Sequence, residues 1–322
     1  MQIKLWGVRG SLPAPMVNTE YRAKLQEILK RALKEGLSAA SEIKPFIDAL
    51  PIQLQNVHGG NTTCAAVTSA AGNLYILDCG TGIRGLGEEL LKGSAGKGGV
   101  TMRIFITHTH WDHIQGFPFF KPAYVPGNVI QFYSPLSDLQ DRFRYQQEAR
   151  FFPAPLEAMA STKEFHLIKP GTALRFDDGM EIDCYPLKHP GGSFAYRFRE
   201  NGSTFVFATD AEFTGDYLET VEAQTGFFDG ADLVVLDSQY TLDESFSKFD
   251  WGHTSYTMAV NCGIRWKVKN LVLTHHEPAY QDAKLARIYR DAVGHRNLMK
   301  SKLPNIYLAT EQMSFQVGSA PK

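Results

Sequence analysis

Short apolar runs recur along the chain and are bounded by Gly, Pro, Asn or Asp. Short runs that are rich in β-branched and aromatic residues are typical of strands. The pattern predicts strands over residues 2–8, 64–68, 74–78, 102–107, 129–133, 180–187, 194–198, 204–209, 233–236 and 270–274.

Apolar residues at helical spacing predict helices over residues 21–37, 255–262 and 282–293. Strands interspersed with helices indicate a layered α/β fold, and residues 1–322 are interpreted as a single domain. Two segments look inserted into the strand series. Residues 18–55 form a helical insert, and residues 121–165 are rich in aromatic residues, Pro and Arg. The second segment is predicted either to form a lid over a substrate or to cover a sheet edge.

The formal net charge of −1 gives no basic field, so a long nucleic acid is not expected as a partner. No uninterrupted apolar stretch approaches the length of a membrane span, and the first residues do not resemble a signal peptide. The four cysteines lie far apart, as is typical of buried thiols in a reducing compartment. A cytoplasmic location without membrane contact is therefore expected.

The strongest chemical signal is the segment His108-Thr-His110-Trp-Asp112-His113, which follows a predicted strand. In an extended turn, alternate side chains such as those of His108 and His110 point to the same side. Asp112 and His113 then reach a neighbouring position. Imidazole and carboxylate groups bind zinc, manganese or iron, and two clusters of such groups predict two divalent ions.

Three further apolar runs end in a potential ligand: the first at His189, the second at Asp210, and the third at the pair His275-His276. Strand ends that meet at one sheet edge place such side chains on a rigid scaffold. Together with the histidine-rich segment they predict a seven-ligand metal site. The pattern alone leaves open whether His275 or His276 is the ligand.

These residues, in this order, resemble the metallo-β-lactamase superfamily, over most of the chain. The resemblance implies an αββα sandwich with the metal site at one edge of the two sheets. It implies that His108, His110 and His189 hold one ion. Asp112, His113 and His275 would hold the other, with Asp210 bridging. The superfamily pattern is a strand followed by Thr and then by the ligand His, which favours His275 over His276. Asp78, in the segment Leu77-Asp78-Cys79-Gly80-Thr81-Gly82, would order the ligand loop from behind.

Residues 236–244 and 251–255 resemble the part of ribonuclease Z and of the phosphoribosyl cyclic phosphate phosphodiesterases where a histidine faces the metals. The expected reaction is hydrolysis of a small, linear or cyclic, phosphodiester by a hydroxide shared between two ions, zinc or manganese, with iron as a further option. His253 would donate a proton to the departing alkoxide, and Asp237 would orient it. With Asp112 they are the predicted catalytic residues. Alternatively, His253 caps the following helix.

The Gly-rich turns around Arg9 and Asn61 also resemble phosphodiesterase branches, so both residues are candidates for binding a substrate phosphate. As bare sequence, these turns are equally typical of structural loops. Residues 142–152, with aromatic residues among arginines, either stack a base or form a helix that packs on the core. Two alternative functions stay open, a lactonase or thioesterase and a non-catalytic metal sensor. The resemblance also implies a homodimer.

Overall fold

A computed structural model of the chain describes residues 1–318, and all of their side chains except those of residues 222–224. Its strands are β1 (Gln2–Gly7), β2 (Cys64–Thr68), β3 (Leu74–Leu77), β4 (Thr101–Phe105), β5 (Val129–Ser134), β6 (Thr162–Leu167), β7 (Leu174–Arg175), β8 (Glu181–Leu187), β9 (Ser193–Glu200), β10 (Ser203–Ala208), β11 (Leu233–Asp237), β12 (Asn270–Thr274), β13 (Asn305–Leu308) and β14 (Ser314–Gln316).

The α-helices range from one turn to 18 residues. They are α1 (Asn18–Glu35), α2 (Ile43–Ala49), α3 (Ile52–Gln55), α4 (Gly82–Leu90), α5 (Trp111–Ile114), α6 (Leu139–Gln146), α7 (Gly215–Gln224), α8 (Leu242–Ser247), α9 (Tyr256–Arg265) and α10 (Asp282–Leu298). No helix within residues 1–318 has the length and apolar character that crossing a bilayer requires.

The strands form two seven-stranded sheets, in the orders β14-β1-β2-β3-β4-β5-β6 and β13-β12-β11-β10-β9-β8-β7. Phe105 of the first sheet and Phe198 of the second meet between them, with ring centroids 5.7 Å apart. On the outer face of the first sheet, Phe132 packs against Phe143 of α6. On the outer face of the second, a buried cluster includes residues of α7, α9 and α10. These layers are the expected αββα sandwich.

The register of the second sheet explains why potential ligands gather at one edge. Strands β10, β11 and β12 are parallel, and Ala208 pairs with Leu236 while Asp237 pairs with Thr274. Strand β8 runs in the same direction, because β9 is antiparallel to both β8 and β10. The carboxyl ends of all four strands therefore lie at the same edge, which is where side chains for a site converge.

The two inserted segments differ in character. Residues 18–55 are mainly helical as predicted, and Lys24 of α1 forms an ion pair of 2.9 Å with Asp282 at the start of α10. Residues 121–165 are not an insert throughout, because β5 within them pairs with both β4 and β6. Helix α6 ends at Gln146, so the helix predicted over residues 142–152 covers only the first five of them. Among the aromatic side chains of this segment, only that of Phe143 is buried in the core.

The four cysteines are buried and free of disulfides.

Each predicted strand has a counterpart in the sheets, but some elements were not predicted. Strands β7 and β14 are only two and three residues long, too short for an alternating pattern to register. Helix α4 contains three glycines, which disfavour helix, and it is held instead by the burial of Ile83 and Leu86.

Candidate metal centre

Side chains from four parts of the chain converge at the shared sheet edge. The loop after β4 and helix α5 carry the histidine-rich segment, and the other groups follow β8, β10 and β12. Ligand atoms within 4.8 Å of one another form one group of His108, His110, His189 and Asp210, and a second group of Asp112, His113, Asp210 and His275. These are the seven side chains that the sequence predicted, and Asp210 belongs to both groups.

The two carboxylate oxygens of Asp210 face different groups. Its Oδ1 lies 3.7 Å from Nε2 of His108 and 3.7 Å from Nε2 of His189. Its Oδ2 lies 2.9 Å from Nε2 of His113 and 3.2 Å from Nε2 of His275. A carboxylate placed in this way can bridge two cations.

Three strand ends hold a residue in the left-handed region of backbone conformation. Asp78, Asp210 and His275 have φ values of 58°, 58° and 63°. Residues other than glycine adopt this region at a cost, and such strain is found where the surroundings fix a side chain for function. Here it turns each side chain out of its strand direction at the edge where the groups converge.

His275, and not His276, points into the cluster. Nε2 of His275 lies 3.2 Å from Oδ2 of Asp112, whereas Nε2 of His276 donates to the carbonyl of Ala309 at 2.9 Å. The close approach of Gly10 to the ring of His275 also explains why glycine occupies position 10. A Cβ at Gly10 would lie 2.5 Å from Nδ1 of His275, so only glycine fits there.

The side chains behind the cluster fix the orientation of its imidazoles. Nδ1 of His113 is 2.8 Å from Oδ2 of Asp78, and the other oxygen of Asp78 accepts the backbone N–H of Thr107 at 2.8 Å. These are the contacts that the ordering role predicted for Asp78 requires. Nδ1 of His275 is 3.2 Å from Oε1 of Gln239, a contact that sequence reasoning missed although Gln239 lies in the segment that follows β11. Such partners orient imidazoles for metal binding.

The electrostatics of the cluster fit a divalent cation. Burial lowers the pKa of His108 well below its ordinary value, so its imidazole is neutral at pH 7. Nε2 of His108 is also buried without a hydrogen-bond partner among residues 1–318. Burial alone would raise the pKa of Asp210, but His113 and His275 outweigh it and hold this pKa well below its usual range. Despite burial, the surrounding carboxylates raise the pKa of His113 well above its ordinary value and that of His275 to about 9, so a bound cation would replace a proton on each. Neutral imidazoles and ionised carboxylates are the donors that zinc, manganese and iron accept.

His253 lies beside the cluster and is oriented by Asp237. Its Nδ1 is 2.8 Å from Oδ2 of Asp237, and its ring stacks on His275 with a centroid distance of 4.9 Å. Asp237 therefore makes the contact with His253 that the sequence predicted. His253 does not cap helix α9, because the hydroxyl of Ser255 accepts the N–H of Met258 in that position. A cavity of about 530 Å³ over the cluster is lined by Ser11, Thr109, His110, Trp111, Asp112, Asp210, His253 and His275.

A model of the Beta-lactamase superfamily domain matches residues 73–276, more than half of the chain and almost all of the predicted site. The chain belongs to the metallo-β-lactamase superfamily. It is a metal-dependent hydrolase of this superfamily, with His and Asp groups placed to bind divalent metal ions.

Relatives in sequence and in fold agree with this membership. Ribonuclease Z of Prochlorococcus marinus (strain NATL2A) is 24% identical over 306 residues, covering 77% of this chain and 90% of the relative. The metallo-β-lactamase fold protein YhfI of Bacillus subtilis has a TM-score of 0.63 at 15% identity, covering 98% of each chain. A diphosphatase of the PhnP family has a TM-score of 0.61 at 16% identity, covering 98% of this chain and 97% of the other.

Within this superfamily fold, the two candidate phosphate-binding residues point elsewhere. Arg9 is only 5% exposed, and its guanidinium donates to the carbonyls of Gly59, Glu277 and Tyr280. Asn61 donates its backbone N–H and its amide to the carboxylate of Glu311, and neither residue lines the cavity over the cluster. These contacts correct the expectation that Arg9 and Asn61 bind a substrate phosphate, because their donors already hold loops together.

One acidic residue that sequence reasoning missed supports the loop that carries His253. Glu212 accepts the backbone N–H of Gly252 at 3.0 Å and that of Asp250 at 3.2 Å. The carbonyl of Gly252 in turn lies 2.8 Å from Nδ1 of His189. The loop that precedes His253 is thereby tied to a predicted metal ligand. No local signal in the sequence marks Glu212, because its partners are about forty residues away.

Proposed function

We propose that this metallo-β-lactamase superfamily hydrolase is a phosphodiesterase that acts on a small, linear or cyclic, phosphodiester. The site would hold two divalent ions, zinc or manganese with iron as a further option. His108, His110 and His189 would hold the first ion. Asp112, His113 and His275 would hold the second ion, with Asp210 shared. When bound, such a pair supplies activation of water and neutralisation of charge on phosphate oxygens.

The observation that carries the proposal is the pairing of His253 with Asp237 beside the shared Asp210. Because Nδ1 of His253 faces the carboxylate of Asp237 at 2.8 Å, Nε2 is left to face the cavity. A protonated imidazole held in this way donates its Nε2 proton to a departing alkoxide, which is a poor leaving group without an acid.

The carboxylate of Asp237 is fixed from several directions. It accepts backbone N–H groups from Asp210 at 3.0 Å and from Thr254 at 3.0 Å, and it is fully buried. These bonds fix the orientation of the carboxylate that contacts Nδ1 of His253. Asp237 therefore acts as a positioning residue, and His253 acts on the substrate.

A small substrate is supported by the charge and by the size of the site. The net charge of −1 offers little attraction to a long polyanion, and the cavity over the cluster measures about 530 Å³. Its volume lies within the range of roughly 300–1,000 Å³ that is common for small-molecule sites. The kinship with ribonuclease Z and with a diphosphatase supports cleavage of a bond to phosphorus.

Hydrolysis of bis(p-nitrophenyl) phosphate by protein loaded in turn with zinc and manganese tests the proposal. We expect turnover that depends on added metal and is lost in Asp210→Ala. The matched control is Asp216→Ala, an exposed acid of helix α7, which should keep full turnover. Metal binding without diester cleavage would contradict the proposal and direct attention to lactones and thioesters. Metal binding with no hydrolysis of any ester would favour a sensor.

A further inference from the structure

A second cavity of about 690 Å³ lies beside the cavity over the metal cluster. Its walls come from the loop after β4, from α5 and from residues 142–152. The lining residues are Thr109, Trp111, Ile114, Gln115, Pro118, Phe119, Arg142, Tyr145, Gln146, Phe151 and Phe152. Thr109 and Trp111 line both cavities, so the two cavities adjoin at these residues and one ligand has room to occupy both.

Several exposed aromatic rings line this second cavity. Trp111 is 82% exposed, Phe151 75% and Tyr145 71%, whereas half of the aromatic side chains of the chain are buried. Phe119 packs edge-to-face on Phe152, with ring centroids 5.5 Å apart, which holds part of the wall in place. A contiguous set of exposed rings is characteristic of a binding site, and flat rings favour a flat ligand.

Polar groups in the same walls distinguish a base from an aliphatic chain. The amide of Gln146 donates to the carbonyl of Ile114 at 2.7 Å, which leaves its Oε1 buried without a hydrogen-bond partner among residues 1–318. An unpaired buried acceptor is destabilising, and an aliphatic ligand would leave it unpaired. Gln146 lines the cavity, so a rotation of its amide would turn this acceptor towards an N–H group of a bound heterocycle.

The cationic side chain of Arg142 lies where the two cavities meet, beside Thr109. Arg142 donates to the hydroxyl of Thr109 at 2.8 Å and to the carboxylate of Asp138 at 2.9 Å, which fixes its guanidinium in the wall. A guanidinium in this position suits a ligand that is anionic at the metal cluster and aromatic beyond it, because it attracts the anion and also stacks on π-systems.

We infer that the second cavity binds the base of a nucleoside phosphodiester whose phosphate lies at the metal cluster. The inference rests on the proposed phosphodiesterase function and names the substrate class for it. Two kinds of ligand contain a nucleoside phosphodiester: a free cyclic nucleotide and a nucleotide chain. In this arrangement Trp111, Tyr145 and Phe151 stack on the base, and Oε1 of Gln146 accepts one of its N–H groups.

Competitive inhibition of bis(p-nitrophenyl) phosphate hydrolysis tests the inference with three probes. Adenosine 5′-monophosphate and ribose 5-phosphate differ only in the base, and hexyl phosphate carries an aliphatic chain instead. We expect the inhibition constant of adenosine 5′-monophosphate to be about tenfold or more below that of ribose 5-phosphate, the range of one stacked base. Equal constants for these two probes overturn the inference. Hexyl phosphate that inhibits as well as the nucleotide also overturns it.

Variants locate the effect in the second cavity. Tyr145→Ala and Gln146→Leu should each reduce the preference for adenosine 5′-monophosphate over ribose 5-phosphate several-fold, judged from inhibition constants and with thermal unfolding monitored in parallel. Tyr21→Ala, which removes an exposed ring from α1, is the matched control and should leave the preference unchanged. A preference that survives both cavity variants overturns the inference.

Failure of the inference is distinguishable from failure of the proposed function. If the metal-loaded protein does not hydrolyse the diester, the function fails, and calorimetric binding of the same probes still measures the preference for a base. Comparing 3′,5′-cyclic adenosine monophosphate with the dinucleotide ApA separates the two sources. Tighter competition by the first supports the inference with a free cyclic nucleotide, and tighter competition by the second supports it with a nucleotide chain.

Discussion

The carboxylate of Asp237 accepts a hydrogen bond from Nδ1 of His253 at 2.8 Å and, through the same oxygen, the backbone N–H of Asp210 at 3.0 Å. One buried group thus fixes the position of the proposed proton donor relative to the carboxylate proposed to be shared by two ions. The position of Asp237 at the end of β11 therefore sets the distance between His253 and the metal cluster. Catalysis that depends on both groups therefore requires no rearrangement to bring them together.

His253→Ala is expected to lower turnover of an alkyl phosphodiester by about 100- to 10,000-fold, the usual contribution of a general acid. Hydrolysis of a p-nitrophenyl diester should fall far less, because p-nitrophenolate leaves without a proton. Initial rates with the two ester types measure the difference. Metal content should stay unchanged in the variant. Since His253 also belongs to a possible ligand group with Asp210, Asp237 and His275, loss of an ion would contradict its role as an acid.

Asp78→Asn is expected to weaken metal binding by about 10- to 100-fold, as is usual when the partner of a ligating histidine is altered. The reason is that the carboxylate of Asp78 accepts from Nδ1 of His113 at 2.8 Å and so directs Nε2 towards the cluster. Competition with a chelator, followed by metal analysis, measures the affinity. Asp178→Asn is the control, because Asp178 is a hydrogen-bonded carboxylate that contacts Tyr75 and Asn73 instead. Equal affinity in both variants would sink the argument.

Gly10→Ala is expected to displace His275 and to reduce the metal content of the dialysed protein by one ion per chain. The added Cβ would lie 2.5 Å from Nδ1 and 2.6 Å from Cε1 of His275, which real side chains do not tolerate. Gly294→Ala in helix α10 meets open space and should be neutral or stabilising by up to about 1 kcal/mol. A full complement of two ions in Gly10→Ala would show that the loop yields without cost.

Asp282→Asn is expected to reduce the free energy of unfolding by about 1–2 kcal/mol at neutral pH. Burial by itself raises the pKa of Asp282, but hydrogen bonds from His58 and Lys24 outweigh it and lower the pKa to about 2. Because the folded-state pKa is depressed, the stabilisation is present above the unfolded-state pKa of about 4 and is lost as the pH falls towards 2.

Urea unfolding of both proteins across this pH range measures the difference, which should shrink as the pH falls. Asp48→Asn is the control, since Asp48 pairs with Lys44 on the exposed face of α2 and should contribute little at any pH. A difference between wild type and Asp282→Asn that does not change with pH would mean that packing, and not charge, links α1 to α10.

The layered fold and the predicted ligand set followed from local signals. Strands such as β2 and β12 carry continuous apolar runs, and His108 and His110 lie next to each other at the period of an extended chain. Short elements escaped prediction because they owe their structure to neighbours. Strand β14, for example, exists through pairing with β1, from the opposite end of the chain.

The sequence by itself determined which groups can bind metal, because ligand chemistry resides in residue types and their local spacing. Only the tertiary structure decided where Arg9 donates, that Gln239 supports His275, and that Tyr145 joins Trp111 in a cavity beside the cluster. Each of these contacts joins segments that are remote along the chain. Their distances depend on how the two sheets and their helices pack, and no local pattern of residues encodes that packing.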